Sequence, residues 1–125
     1  MASLFENLLR NWRRQRVQAR LNRIVRASLK ATTVAIAGKS PPVLSQMFYG
    51  SIGVDPKNLV IWLIFETDTQ LDGARANGLA DTILQNARGE LNARGYPKPL
   101  DAQIGFTTRE DVRRKTGGNY RQYFN

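Results

Sequence analysis

Leu59-Val60-Ile61-Trp62-Leu63-Ile64-Phe65-Glu66-Thr67-Asp68 is the stretch on which the fold turns. Its apolar run falls well short of the roughly 18 residues that a membrane-spanning helix needs, and it has the length of one strand. Side chains of a strand alternate between faces, so Leu59, Ile61, Leu63 and Phe65 share one side and Val60, Trp62 and Ile64 the other. A strand with one wet face would interpose polar residues. This one is therefore expected at the centre of a sheet or covered on both sides. Trp62 is expected to be buried on the second side, beneath the N-terminal helix or a second subunit.

Upstream, Val43–Ile52 also reads as a strand. Gly53-Val54-Asp55-Pro56-Lys57-Asn58 between the two has turn chemistry, because proline presets φ while aspartate and asparagine cap locally. The pair is expected to form a hairpin with a longer loop. Downstream, Asp68 and Thr69 are candidate caps for a helix from about Gln70, with Asn77-Gly78 a candidate interruption. Leu79, Ala80, Ile83, Leu84, Ala87 and Leu91 then form an apolar stripe that Gly95 and Pro97 end. Ala102–Thr107 is a third strand. Thr107-Thr108-Arg109-Glu110 opens a short helix that Gly117-Gly118 closes, before an aromatic tail from Asn119 to Asn125. The core is expected to lie within Val43–Phe106, with Ile61, Leu63, Phe65, Ile83, Leu84, Leu91 and Phe106 buried together.

Residues 3 to about 30 read as one helix carrying two apolar stripes. Leu4, Phe5, Leu8, Leu9 and Trp12 form the first; Val17, Leu21, Ile24, Val25 and Leu29 form the second. At about 100° per residue they lie almost opposite each other. Either the helix breaks at Arg13–Arg16, or its first turns touch something different from its later ones. Ala31–Ala37 can extend it, and Gly38, Pro41 and Pro42 stop it.

The element order is α-β-β-α-β-α. It describes an α+β fold with a small mixed or antiparallel three-stranded sheet and a long basic N-terminal helix. The middle helix is expected on one sheet face and the N-terminal helix on the other. Residues 1–40 are read as helix and junction, and 41–125 as a compact α+β domain.

Gly50-Ser-Ile-Gly-Val-Asp-Pro-Lys57, Trp62 to Asp68, Gly95-Tyr-Pro97 and Gly117-Gly-Asn-Tyr120 carry a resemblance. From about Tyr49 onward the chain resembles small bacterial α+β proteins of unassigned function. The resemblance implies no activity, and the basic N-terminal helix lies outside it.

Charge is unevenly spread. Of 19 basic and 10 acidic side chains, the first forty residues hold nine basic groups against Glu6. Seven of the nine are the arginines at 10, 13, 14, 16, 20, 23 and 26. With no acid among positions 10 to 26 they repel one another by a few tenths of a kcal/mol per pair, where a merely solvated face would interleave glutamates. Such a field attracts an anionic partner. Arg13, Arg14, Arg16, Arg20, Arg23 and Arg26 are the candidate contacts. Their spread around the helix suits backbone phosphates of a nucleic acid, DNA or RNA, read without strong sequence preference. Arg113, Arg114, Lys115 and Arg121, interleaved with Tyr120, Tyr123 and Phe124, form a candidate second patch. Anchoring the tail to the core is the better reading of those aromatics.

Catalysis has little to work with. There is no histidine and no cysteine, which removes the common neutral-pH base, thiolate nucleophiles and the usual zinc ligands. Gly38-Lys39-Ser40 has Thr33 where a P-loop needs its first glycine, and prolines where it needs a helix. Gly50-Ser51-Ile52-Gly53 runs into a hairpin loop rather than a nucleophile elbow. Glu66, Asp68 and Asp72 are an acidic group at a strand end, better read as a helix start than as a magnesium or calcium site.

No catalytic residue, metal set or cofactor is read, and the expected function is non-catalytic binding. The alternatives are a protein-interaction module (adaptor, inhibitor or immunity-type, with a protein partner or a homo-oligomer) and a membrane-surface protein using the N-terminal amphipathic helix. No transmembrane segment is read, and the absence of cysteine suits a reducing, cytoplasmic setting. The arginine-rich, acid-poor start also has the composition of an organellar transit peptide.

Overall fold

A computed structural model describes residues 3–125. The chain folds as α1 (Leu4–Ala35), β1 (Ser45–Tyr49), β2 (Val60–Phe65), α2 (Asp68–Ala76), α3 (Leu79–Ala93), β3 (Gln103–Thr108), α4 (Arg109–Thr116) and α5 (Tyr120–Tyr123). The sheet order is β1-β2-β3, antiparallel between β1 and β2 and parallel between β2 and β3. The fold is thus α+β with a three-stranded mixed sheet, and the two-faced apolar strand is its centre. A hairpin loop suffices for the antiparallel pair, whereas the parallel pair requires the α2–α3 crossover.

Gly78, at φ +84, separates α2 from α3, so the middle helix is two helices. The cap of α2 is Thr67, whose hydroxyl accepts the Gln70 N–H at 3.1 Å, rather than Asp68 or Thr69. Asp68 is already helical.

α1 does not break at Arg13–Arg16. It runs unbroken for 32 residues, about 48 Å, without an internal glycine or proline. Ser3 and Glu6 form a reciprocal capping box at its start: the Ser3 hydroxyl accepts the Glu6 N–H at 3.1 Å, and the Ser3 N–H donates to Glu6 at 3.3 Å. Leu21, Val25 and Leu29 are buried, with Ser28 and Thr32 beside them. Those two hydroxyls are satisfied locally, donating to Ile24 O at 2.7 Å and Ser28 O at 2.9 Å.

Three helices form one layer, with α1 against α3 and α3 against α2. Leu21, Val25 and Leu29 join Ile61, Leu63, Phe65, Ile83 and Leu91 in one cluster. The packing therefore does not divide at residue 40: half of α1 belongs to the core. Leu84 and Phe106 are only half-buried, because the one lies at the rim of the α3 stripe and the other on an edge strand.

α1 was expected on the second sheet face, and it lies instead on the same side as α3. The C-terminal tail covers the second face. Phe124 packs 5.1 Å from Trp62 between ring centroids, and Tyr49 accepts the indole N–H at 3.3 Å. Gly105 on β3 leaves the space in which the indole sits, since a Cβ there would come within 2.7 Å of the ring. Four residues of helix make a narrower lid than a long helix does, so Trp62 is half-buried rather than buried. Ile64, on the same face, is fully covered.

Candidate functional site

The first 14 residues of α1, Leu4 to Val17, stand clear of the core. Leu4 is 77% exposed, Phe5 69%, Leu8 59% and Trp12 54%. The root of this arm is held by Gln18. Its side-chain oxygen accepts the Gly53 N–H at 2.6 Å, while its amide nitrogen donates to Gly50 O at 3.3 Å and Asn22 Oδ1 at 3.1 Å. Gly53 has to be glycine for this contact, because a Cβ would lie 2.5 Å from Arg14 O and 2.9 Å from Gln18 Cβ. Neither residue announces itself in the sequence: a glutamine in a helix and a glycine in a turn are both unremarkable until the loop meets the helix.

Arg13, Arg14, Arg16, Arg20, Arg23 and Arg26 are all exposed. Among the described residues none of them lies within 4.0 Å of a carboxylate. Counting about 100° per residue, Arg16, Arg20, Arg23 and Lys30 point roughly opposite to Leu21, Val25 and Thr32. Arg13 stands at the edge of this outward row, and Arg14 leans towards the loop at Gly53. Two arginines rest on aromatic rings: the Arg16 guanidinium lies 4.7 Å over Trp12 and that of Arg26 lies 5.8 Å from Phe48.

The arm's own apolar residues lie on the outward side too. Phe5, Leu8, Leu9 and Trp12 fall on the line that Arg16, Arg23 and Lys30 continue. Glu6, Asn7, Arg10, Asn11 and Arg14 occupy the other side of the arm. The outward face of α1 is thus one strip, apolar for its first turns and basic from Arg16 to Lys30.

The C-terminal cluster is of another kind. Arg114 pairs with Asp68, with Asp111 at 2.9 Å and with Glu110 at 3.6 Å, and Lys115 pairs with Asp111 at 3.2 Å. Hydrogen bonds from Thr108 and Arg114 hold the Asp68 carboxyl below its ordinary range. The Tyr123 hydroxyl and Lys115 do the same for Asp111. Burial, together with the Asp111 carboxylate, raises the Tyr123 phenol. Tyr123 also shares a 2.7 Å hydrogen bond with Thr107. Two of the four basic groups are thus spent on tying α2, α4 and α5 together, leaving Arg113 and Arg121 exposed beside them.

Glu66, Asp68 and Asp72 are not gathered: Glu66 faces Arg109 at 3.6 Å, Asp68 belongs to the Thr108–Arg114 network, and Asp72 is exposed. Among the described residues, no helix is long and apolar enough to cross a membrane. No family model, curated protein or solved structure matches the chain.

Proposed function

We propose that this is a non-catalytic binding protein whose outward α1 face holds a surface of phosphodiester groups. One observation carries the reading: the arginines from 13 to 26 are exposed and unpaired along a single helix whose other side is locked into the core. The C-terminal cluster differs, since Arg114 and Lys115 there are paired with Asp68 and Asp111. The uncompensated row costs self-repulsion that an anionic partner relieves. Arg13 to Arg23 spans about 15 Å, long enough to meet several phosphates in register-tolerant fashion. Arginine forks bind phosphate bidentately, with no reference to base or headgroup identity. A nucleic-acid backbone and a phospholipid headgroup layer both present this chemistry.

Two probes test it, a mixed-sequence DNA duplex and phosphatidylglycerol vesicles, each titrated over a salt series. About five neutralised phosphates on a duplex give a slope of log K against log salt near −4.5. Changing Arg16, Arg20 and Arg23 to glutamine is expected to cut that slope by about 3, or to weaken vesicle binding steeply. The charge-matched change of Lys57, Arg75 and Lys98 is expected to do much less. Absence of binding to both probes at 50 mM salt, or equal effects of the two triples, refutes the reading.

A further inference from the structure

We infer that the phosphodiester surface is an anionic lipid bilayer, on which α1 lies flat with its outward face down. The inference rests on the phosphodiester reading and adds the partner. What decides it is the collinearity of the two halves of the strip. A nucleic acid engaging Arg16 to Lys30 would leave the apolar face of the arm, about 12 Å of helix, in water. A bilayer engages both. Leu4, Phe5, Leu8, Leu9 and Trp12 enter the boundary between headgroups and acyl chains, while the arginines behind them meet lipid phosphates.

The arm has the composition for this role. Its apolar arc is about 140° wide, and the remainder holds Glu6, Asn7, Arg10, Asn11, Arg13 and Arg14. Arginine stems on that side reach back to headgroup level while their charge stays hydrated. Trp12 stands where the apolar part gives way to the basic part, with Arg16 over its ring. An amphipathic indole prefers that depth. The folded domain packs on the opposite side of the helix, so the outward strip is free to lie on a surface.

A second copy of the chain is the other natural cover for an apolar helix face. Pairing two copies in parallel through it would set the Arg16, Arg23 and Lys30 row that continues the strip against the same row of the second copy, with no carboxylate on that face to offset it. Like charges at such a seam oppose association. Lipid phosphate complements the same charges.

The test uses the full chain, equimolar phosphatidylglycerol–phosphatidylcholine vesicles, pure phosphatidylcholine vesicles, a 30-base-pair duplex and a 30-nucleotide RNA. The expected result is co-sedimentation with the anionic vesicles, weak or no binding to neutral ones, and a blue shift of tryptophan emission that is lost in Trp12→Phe. The double change F5Q/W12Q alters two exposed side chains, so the fold should survive, as urea unfolding can verify. It is expected to lower vesicle partitioning by about tenfold or more, each lost apolar anchor weakening insertion, and to leave nucleic-acid binding unchanged.

Binding to duplex or RNA with none to anionic vesicles overturns the lipid inference and leaves the phosphodiester reading standing. Binding to neither overturns both. Vesicle binding indifferent to F5Q/W12Q, equal binding to neutral vesicles, or a dimer in solution that F5Q/W12Q dissolves also overturns it.

Discussion

Replacing Gly105 with alanine is expected to destabilise the protein by about 1–2 kcal/mol, although the same change in an open strand would help. Glycine in a strand interior costs about 0.5–1 kcal/mol relative to alanine. Against that gain stands the Trp62 ring: an added Cβ would lie 2.7, 3.0 and 3.1 Å from three of its carbons. Carbon–carbon contacts are comfortable at about 3.5–4.0 Å, so the indole has to retreat by nearly 1 Å. It is rigid and already in contact with Phe124 and Tyr49, so its movement disturbs the tail. Overpacking of this kind costs about 1–3 kcal/mol, which outweighs the gain. Gly89 on α3 is the control, since a Cβ there meets nothing within 4 Å. Gly89→Ala is expected to stabilise by about 0.5–1 kcal/mol. Urea unfolding in a Trp12→Phe background, with Trp62 as sole reporter, measures both. A Gly105→Ala protein as stable as its parent would refute the placement of Trp62 between Gly105 and Phe124.

The two ends of the apolar inventory should respond very differently to truncation. Leu63→Ala is expected to cost about 2–5 kcal/mol in urea unfolding, because Leu63 is wholly buried at the sheet centre. Leu8→Ala is expected to cost less than about 0.5 kcal/mol; comparable losses would mean that the arm packs on the domain. Stability should fall on acidification. Asp68 and Asp111 titrate below their ordinary value of 3.8 in the folded state, so the native chain binds fewer protons than the unfolded one. Their stabilisation is present above pH 3.8 and is lost as pH falls through the lowered folded values. The double change Asp68→Asn and Asp111→Asn should flatten this acid limb, and an unaltered pH slope in thermal melts would contradict the network.

Much of the fold was legible because it rests on local rules. Period-two alternation with no polar interruption marked β2 as central. Gly38 with Pro41 and Pro42, and Gly95 with Pro97, punctuated the helices, and the capping residues lay within one or two positions of their expected places. What misled was the assignment of faces. The order of elements does not say on which side of a sheet a terminal helix lands, because that depends on the area each cover buries. Here α1 buries its apolar stripe against α3, and the short aromatic tail suffices for Trp62 because Gly105 lets the indole lie close to the strand.

The arginine row of α1 and its lack of acidic neighbours followed from the amino-acid order alone, since charges four residues apart on a helix must meet. The two opposed apolar stripes followed as well, by the angle per residue. Which stripe enters the core, and whether the helix stays straight between them, was decided by tertiary contact. Burial of Leu21, Val25 and Leu29 fixes the rotation of α1, and the Gln18–Gly53 clasp holds the root of the arm. A continuous helix transmits that rotation to Leu4, so Phe5, Leu8 and Trp12 come out on the side of the arginines rather than against the domain.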